Sequence, residues 1–182
     1  MRKVTAGLFT SVDGVVQDPY EFQYDSFDDE LGAGMGAFMA RTDTVLLGRN
    51  SYLEWSEWWP AHPDDGFGQW INPIEKYVAS TTLGDDLTWQ NTTRIPGDLD
   101  TFVRELKERD GADIAVCGSV SVVRQLLFAG LLDELQLMVH PAIAGSGRKL
   151  FEPTDPATRL RLVDSTVTSK GNVVSTYARL DA

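Results

Sequence analysis

Cysteine and histidine are almost absent from this 182-residue chain, and each scarcity excludes a class of site. Cys117 is the only cysteine, so an internal disulfide is impossible, which is typical of proteins from a reducing cytoplasm. The two histidines, His62 and His140, lie far apart in sequence and lack the spacing of metal ligands. We therefore expect a cytoplasmic protein without a metal site.

Basic residues and long apolar runs are scarce as well. Sixteen Lys and Arg residues stand against 27 Asp and Glu residues, a formal net charge of −11, which argues against nucleic acid or an anionic membrane as partner. No apolar run approaches the roughly 20 residues that cross a bilayer, and the first residues predict a strand rather than a signal peptide. Because 42% of the residues are apolar, a core can form, and we expect a single domain over residues 1–182.

The most informative stretch is Asp113 to Leu127, where a buried strand runs directly into a helix. Ile114 to Cys117 is the predicted strand, Gly118 is the turn, and the helix opens at Ser119 or Ser121. A helix that begins this way leaves unpaired N–H groups at its N-terminus, and these groups favour a phosphate. A serine-capped connection with no ligand explains the same pattern equally well.

Two further strand ends have a similar character. Thr44 to Gly48 is a buried strand, as expected for a central parallel strand covered on both faces, and it is followed by Arg49, whose guanidinium suits phosphate. Glu75 to Ser80 is a strand that ends in small hydroxyl residues. A solvated arginine and ordinary turn residues remain alternatives. Because parallel sheets bind ligands at the carboxyl ends of their strands, three such ends at one edge indicate a dinucleotide site.

The order of the elements predicts an α/β fold. Strands alternate with helices as far as residue 140, which favours a mostly parallel central sheet flanked by helices. Two alternating stretches around Lys170-Gly171-Asn172 then predict a closing antiparallel hairpin. The predicted strands are 4–10, 44–48, 75–80, 87–90, 114–117, 135–140, 160–168 and 173–180. Predicted helices begin near Asp28 with Ser26 as a cap, shortly after Gly48, at Leu99, and within the segment described above.

Four of the five tryptophans fall between residues 55 and 73, a stretch that we predict to be an irregular loop. Long loops of this kind are often functional. Three interpretations stay open: a pocket for a flat-ring substrate, a subunit contact, or a satellite core under the loop. The aromatic residues concerned are Trp55, Trp58, Trp59, Phe67 and Trp70.

Three motifs together resemble those of a known family. They are Ser11-Val12-Asp13-Gly14, then Val45-Leu46-Leu47-Gly48-Arg49 with Ser51-Tyr52, and finally Gly130-Leu131-Leu132-Asp133-Glu134-Leu135 followed by Pro141, Gly145, Gly147 and Leu150-Phe151. Over nearly its whole length the chain resembles the dihydrofolate-reductase-like superfamily. Within it, the chain is most similar to the C-terminal reductase domain of the riboflavin-biosynthesis deaminase-reductases and its stand-alone relatives.

The resemblance implies an NADPH-dependent reductase that acts on a small, heterocyclic substrate, of the 5-amino-6-(5-phosphoribosylamino)uracil or dihydrofolate type. It implies that the cofactor lies across the carboxyl edge of the sheet. Positions matching the adenosine-phosphate and pyrophosphate site are Gly48, Arg49, Asn50 and Ser51, with Arg49 as the candidate for the 2′-phosphate. Positions matching the adenine ribose site are Ser80 and Thr81. Backbone donors to the pyrophosphate would come from the turn at Cys117, Gly118, Ser119, Val120 and Ser121, and Ala6, Gly7 and Val16 would border the nicotinamide.

The proton for such a reaction requires a source, and two carboxylates are candidates. Asp13 is the first and Asp28 the second, with a turn former and a helix-start acid as the respective alternatives. Val116 stands where the riboflavin branch commonly has a glutamate, which argues against that branch's substrate. A non-catalytic nucleotide-binding module that has kept the fold is the alternative function. The aromatic stretch and the final strands also indicate a homodimer.

Overall fold

A computed structural model describes residues 1–180 of the chain. The helices are α1 (Tyr20–Gln23), α2 (Asp29–Ala40), α3 (Arg49–Ala61), α4 (Gly66–Ile71), α5 (Leu99–Lys107) and α6 (Val120–Phe128). The strands are β1 (Val4–Thr10), β2 (Thr42–Gly48), β3 (Glu75–Ala79), β4 (Thr92–Arg94), β5 (Asp113–Val116), β6 (Glu134–Val139), β7 (Leu160–Val167) and β8 (Val173–Arg179). Among residues 1–180, no helix combines the length and the apolar character needed to cross a membrane. The last two residues of the predicted span 1–182 lie outside the described residues.

The strands form one sheet of eight in the order β4-β3-β2-β5-β1-β6-β8-β7. The six strands from β4 to β6 pair in parallel. The last two pair antiparallel, β8 against β6 and β7 against β8. This topology confirms the predicted α/β class, with a mostly parallel sheet and a closing antiparallel hairpin.

Strand β2 runs through the middle of the core, as its apolar sequence predicts. Leu46 faces the cluster that includes residues of α5 and α6, whereas Val45 and Leu47 face the cluster beneath α3 and α4. All three side chains are fully buried, because helices cover both faces of the parallel strands. The strand therefore ends between two helical layers, and the turn at Gly48 opens at the carboxyl edge of the sheet.

The prediction of an irregular loop across residues 55–73 is wrong, because most of this stretch is helical. Trp55 and Trp59 are four residues apart, so they lie on one face of α3 and their rings meet edge to face at 6.2 Å. Pro60 lies in the last turn of α3, and the helix ends one residue later. Asp65 then caps α4 by accepting hydrogen bonds from Phe67 N and Gly68 N. The aromatic residues thus belong to two packed helices.

The predicted strand at 87–90 is also wrong, since the strand that pairs with β3 is β4, a few residues later. The apolar character of the predicted segment reflects burial and not pairing. Trp89 is buried beneath α4, and its indole Nε1 donates to Asn72 Oδ1 at 2.9 Å. A segment of four residues is too short for its pattern to distinguish a paired strand from a buried loop.

Candidate functional site

The carboxyl ends of three neighbouring parallel strands open on one edge of the sheet. The order β3-β2-β5 places the ends at Ser80, Gly48 and Gly118 side by side. All three residues line one cleft, whose volume is about 2020 Å³. The gathering of strand ends that the sequence predicts is therefore present in the structure.

The two helices that begin at these ends are left open for an anion. Within residues 1–180, no side chain caps α3 or α6, and neither helix has an acidic residue in its first turn. In contrast, α2, α4 and α5 are each capped by an aspartate, Asp28, Asp65 and Asp98. Free N–H groups and the helix dipole thus meet at the cleft from two directions, an arrangement that suits linked phosphates.

A chain of hydroxyl groups fixes the spacing between these two helix starts. Gly48 N donates to Ser119 Oγ at 2.7 Å, Ser119 Oγ donates to Ser51 Oγ at 2.8 Å, and Ser51 Oγ donates to Gly118 O at 2.9 Å. Both serines are buried. Their side chains hold the two turns together, and the backbone N–H groups that follow Gly48 and Gly118 remain as the candidate donors toward the cleft.

The remaining polar residues predicted for this edge lie along the same wall. Ser80 Oγ accepts from Thr82 N and Leu83 N at 3.2 and 3.0 Å, so it shapes the turn after β3. Thr81, Arg49 and Asn50 are exposed and line the cleft. The exposed guanidinium of Arg49 makes one long hydrogen bond, 3.4 Å to Asn50 Oδ1, and its remaining donors suit a phosphate.

The ring of Trp55 packs directly against the turn at Gly118. Gly118 has a φ of +60°, and a Cβ placed there would lie 2.6 Å from Cζ2 of Trp55. Only glycine therefore combines this backbone conformation with the ring contact. The neighbouring Cys117 is buried, and burial raises the pKa of its thiol to about 12, so it remains a neutral thiol.

On the other side of the cleft, β1 and β6 form the floor and α2 forms a wall. Gly7 pairs in register with Gln136, and Phe9 with Met138, and all four line the cleft. Phe38 of α2 lines it as well. Val16 also borders the cleft, whereas the side chain of Ala6 points into the core on the opposite face of the sheet. Side chains alternate between the two faces of β1, so Ala6 and Gly7, both predicted to border the nicotinamide, lie on opposite faces of the sheet.

The aromatic residues of α3 and α4 serve the cleft and the core together. Four of them line the cleft, namely Trp55, Trp58, Trp59 and Phe67. Trp59 and Trp70 pack against Phe67, with ring centroids 4.8 and 5.2 Å apart. These aromatic residues form part of the cleft wall and also pack against a buried cluster, while a flat-ring substrate and a subunit contact stay predictions.

Asp13 binds the loop after β6 and is not among the residues that line the cleft. Its carboxylate accepts hydrogen bonds from Ser11 Oγ at 2.6 Å, Ala144 N at 2.9 Å and Gly145 N at 3.0 Å. The Ser11 hydroxyl, followed by these backbone donors, lowers the pKa of Asp13 to about 2. This carboxylate clamps the turn after β1 to the loop after β6 and stays ionised at neutral pH.

An Asp13→Asn substitution is expected to destabilise the fold at neutral pH and to lose this effect in acid. The pKa of Asp13 falls from its ordinary 3.8 to about 2 on folding. Its stabilisation is therefore complete above about pH 3.8 and is lost as the pH falls toward 2. Urea unfolding of both proteins at neutral and acidic pH measures the difference, with the exposed Asp64→Asn as control. A difference between wild type and Asp13→Asn that stays constant into acid would contradict this role.

Asp28 also has a structural role. It, and not the predicted Ser26, caps α2: its Oδ1 accepts from Leu31 N at 3.0 Å, and its Oδ2 accepts from Lys170 N at 3.0 Å. Burial acts to raise the pKa of Asp28, but these hydrogen bonds and those from Thr168 and Asn172 lower it overall. Asp28 does not line the cleft, so the structure brings neither predicted acid to it.

Ser26 instead contacts a buried histidine at the end of β6. Its Oγ lies 2.6 Å from Nδ1 of His140, and Gln23 Nε2 lies 3.2 Å from the other ring nitrogen. Burial lowers the pKa of His140, which favours the neutral ring. This histidine joins the start of α2 to the sheet, and it is not among the residues of the cleft.

The sequence analysis missed several residues of the cleft. Gln136 and Met138 were treated only as part of a strand, although alternation with the buried Leu135 places them on the face opposite the core. Arg148, in the loop after β6, was also missed as a lining residue. Only the pairing of β6 beside β1 shows that this face of the strand is the floor of the cleft.

Comparison with known sequences identifies the family to which this fold and this cleft belong. The sequence model of the RibD C-terminal domain family matches residues 2–174. The chain therefore belongs to the RibD C-terminal domain family. The resemblance stated from the sequence motifs is confirmed.

Relatives of the chain cover almost its whole length. It is 28% identical over 181 residues to the uncharacterized protein YyaP of Bacillus subtilis strain 168, an alignment that covers 97% of this chain and 94% of that protein. Among solved structures, a Shewanella sp. PV-4 protein provisionally assigned to riboflavin biosynthesis superposes with a TM-score of 0.76 at 20% identity, covering 98% of this chain and 99% of that one. The riboflavin biosynthesis reductase Rib7 of Saccharomyces cerevisiae superposes with a TM-score of 0.65 at 16% identity, covering 98% and 90%. At these identities the structures establish the shared fold.

Proposed function

We propose that this protein is an NADPH-dependent reductase of a small heterocyclic compound. The observation that carries the proposal is the pair of uncapped helix starts, α3 and α6, held side by side at the carboxyl edge of the sheet. Membership of the RibD C-terminal domain family and the fold shared with the reductase Rib7 support it.

The residues of the cleft suit a dinucleotide. The backbone N–H groups of Arg49, Asn50 and Ser51 and those of Gly118, Ser119, Val120 and Ser121 would hold the phosphates. Gly48, whose own N–H donates to Ser119 Oγ, would form the turn beside them. Ser80 and Thr81 would flank the adenine ribose, and Gly7 and Val16 would border the nicotinamide. When bound, NADPH supplies the hydride for the reduction.

The size of the cleft allows a second ligand beside the cofactor. Pockets for one drug-sized molecule have volumes of roughly 300–1,000 Å³, and this cleft is about 2020 Å³. Apolar side chains of α2, β1 and β6 line the cleft near the proposed nicotinamide position and would exclude water there. Asp13 and Asp28 are held in structural contacts outside the cleft, so neither of these two carboxylates is placed to supply the proton.

We also propose that the protein is a single domain that acts in the cytoplasm as a homodimer. The lone buried thiol supports the location. Exposed apolar side chains on the closing hairpin support the dimer; among them are Leu162, Val163 and Val167. Sedimentation of the purified protein tests this arrangement, and a monomer at all concentrations would contradict it.

An Arg49→Ala substitution is expected to weaken binding of NADPH roughly tenfold or more while leaving NADH almost unchanged, because a charge-assisted contact to the 2′-phosphate is lost. Isothermal titration calorimetry with NADPH and with NADH measures the two affinities. Arg148→Ala is the matched control, since this arginine lines the same cleft near Val16 but away from β2. Equal losses for the two cofactors would remove Arg49 from this role, and no binding of either by wild type would overturn the proposed function.

A nucleotide-binding module without turnover is the second candidate. It is favoured by one observation: within residues 1–180, the two predicted acids lie outside the cleft. The two candidates differ in outcome. NADPH binding together with loss of its absorbance in the presence of a heterocyclic substrate supports the reductase, whereas binding without turnover on any substrate supports the module.

A further inference from the structure

His140 is a fully buried histidine at the end of β6, outside the residues that line the cleft. Its ring contacts the segment 18–26, which contains α1 and which we call the strap. Nδ1 of the ring lies 2.6 Å from Ser26 Oγ, and Nε2 lies 3.2 Å from Gln23 Nε2. The imidazole is therefore a polar link between the strap and the sheet.

The contacts of the ring define its protonation state. Ser26 has one hydroxyl hydrogen and donates it to Gln23 O at 2.5 Å, so Nδ1 of His140 supplies the hydrogen of the contact with Ser26 Oγ. The side-chain nitrogen of Gln23 only donates, so Nε2 of the ring accepts from it. This is the arrangement of a neutral imidazole with its hydrogen on Nδ1. A second proton, on Nε2, would face the amide N–H groups of Gln23, and the amide would have to turn over to accept it.

The charged group that faces the ring is Asp28. Within residues 1–180, however, no carboxylate is hydrogen-bonded to His140. The Asp28 carboxylate accepts instead from Lys170 N at 3.0 Å and from Asn172 Nδ2 at 3.2 Å. The Lys170 ammonium lies 4.0 Å from Asp25 at the end of the strap. A positive charge on the ring would thus have no direct anionic partner.

The ring also packs between two phenyl groups, Phe9 of β1 and Phe22 of the strap. The ring centroids lie 5.5 and 6.0 Å from that of His140, and Phe22 is buried. Apolar surroundings disfavour the charged form of a histidine. Burial accordingly lowers the pKa of His140, although Asn172 and the charge of Asp28 act in the opposite direction.

The strap is strained near both of its ends. Asp18 and Tyr24 each have a φ of +45°, a conformation that is sparsely populated by residues with a side chain. The chain is anchored just before the strap by the pairing of Val16 with the loop after β6, and at its end by Asn172 Nδ2, which donates to Ser26 O at 2.6 Å. The middle of the strap can therefore move away from the sheet while its ends stay in place, and this movement relieves both strained residues.

Asp18, Pro19 and Tyr20 of the strap line the cleft, so a movement of the strap changes the cleft wall. We propose that His140 is a pH-sensitive latch: the neutral ring holds the strap against the sheet, and the protonated ring releases it and opens this wall. The proposal involves no ligand, so its test is independent of the proposed reductase function.

The direction of the pH dependence follows from burial. In the released form solvent reaches the ring, and the pKa of His140 returns toward its ordinary value of 6.5. The released form thus binds the proton more tightly than the closed form. The closed form is favoured above pH 6.5 and loses this advantage as the pH falls below it.

Hydrogen exchange of the whole protein, followed by NMR, tests the latch at single amides. Phe22 N and Gln23 N donate to Pro19 O, and Ser26 N donates to Gln23 O, so these three amides report closure of the strap. Their protection factors, which correct for the effect of pH on the intrinsic rate, are expected to fall at least tenfold between about pH 7.5 and about pH 5. Protection of Ile114 N in β5 is expected to change less than twofold. Constant protection of the strap amides over this range would overturn the proposal.

A His140→Gln variant removes the titrating ring. Protection of the strap amides is then expected to be independent of pH over the same range. His62→Gln is the matched control, because His62 is exposed at the end of α3, and it should keep the fall seen in wild type. The same fall in His140→Gln would assign the effect to another group, such as Asp28, and would overturn the latch.

A Gln23→Glu variant keeps His140 and decides the question if His140→Gln does not fold. The new carboxylate stands at ring Nε2, where it can accept a hydrogen bond from the protonated imidazole. Protonation then no longer releases the strap, so its amides are expected to stay protected down to about pH 5. A fall as large as that of wild type would show that protonation of this ring does not control the strap.

Discussion

Replacing Gly118 with alanine is expected to destabilise the protein by about 2 kcal/mol and to weaken NADPH binding at least tenfold. The backbone at this position has a φ of +60°, and the new Cβ would lie 2.6 Å from Cζ2 of Trp55. Either the tryptophan or the turn must then move. The turn carries the N–H groups at the start of α6, so its displacement disorganises the proposed phosphate site. Urea unfolding and calorimetric titration of NADPH measure the two effects.

Two controls separate the backbone conformation from the ring contact. Gly171 also has a positive φ, +84°, and a Cβ there would meet only Pro141 Cγ at 4.0 Å. Gly171→Ala is therefore expected to show only the conformational cost of about 1 kcal/mol. Adding Trp55→Ala to Gly118→Ala removes the clash, so the two changes together should cost less than the sum of the single changes. Additive effects would show that Trp55 does not press on this turn.

A Lys76→Met substitution is expected to destabilise the protein by about 3 kcal/mol. Lys76 is fully buried, and its Nζ donates to Ile71 O at 3.0 Å, Asn72 O at 2.9 Å and Ile74 O at 2.8 Å. Methionine keeps the length and the packing of the side chain but leaves these three carbonyls without their donor. Because the carbonyls end α4 and lead into β3, the aromatic wall of the cleft is expected to loosen as well. Urea unfolding gives the free energy change.

The matched control is Lys3→Met. Lys3 Nζ contacts Glu134 Oε1 at 2.7 Å, but its side chain is 57% exposed, so its loss is expected to cost less than about 1 kcal/mol. Similar values for the two lysines would contradict the importance of the buried ammonium group.

Lys76 also makes the stability depend on pH in the alkaline range. Burial lowers its pKa from 10.5 to about 8. Between these two values the unfolded chain holds more protons than the folded one, so this group makes the folded state more stable as the pH rises from about 8 to 10.5. The stability of wild type relative to Lys76→Met should therefore increase across this interval. A flat or falling difference would contradict the lowered pKa.

Much of the site could be predicted because strand ends and helix starts have local signatures. Gly48 and Gly118 each end a buried apolar run and are followed by an amphipathic helix, so the sequence places both turns. Parallel pairing then requires that both turns open at the same edge. The structure adds that the side chains of Ser51 and Ser119 bond to each other. Hydroxyl residues have many possible partners, and sequence alone does not choose among them.

Predictions failed where long-range contacts decide the outcome. Asp13 and Asp28 have the residue type of a proton donor, but each accepts hydrogen bonds from chain segments more than 100 residues away, at Gly145 and Lys170. The stretch that holds four of the tryptophans is rich in Pro, Gly and Asp, and this composition predicts a loop. Their rings pack on one another and stabilise two helices that local propensity does not favour.

The sequence by itself determined the alternation of strands and helices outside residues 55–94, the antiparallel closing hairpin and the edge of the sheet at which the cleft opens. These features follow from the period of apolar residues and from turn chemistry, which act over a few neighbouring residues. Only the tertiary structure decided that Trp55 closes the turn at Gly118 and that Gln136 faces the space above Gly7. Such contacts join residues far apart in the chain, so the packing of the whole sheet and its helices sets them, and no local pattern encodes them.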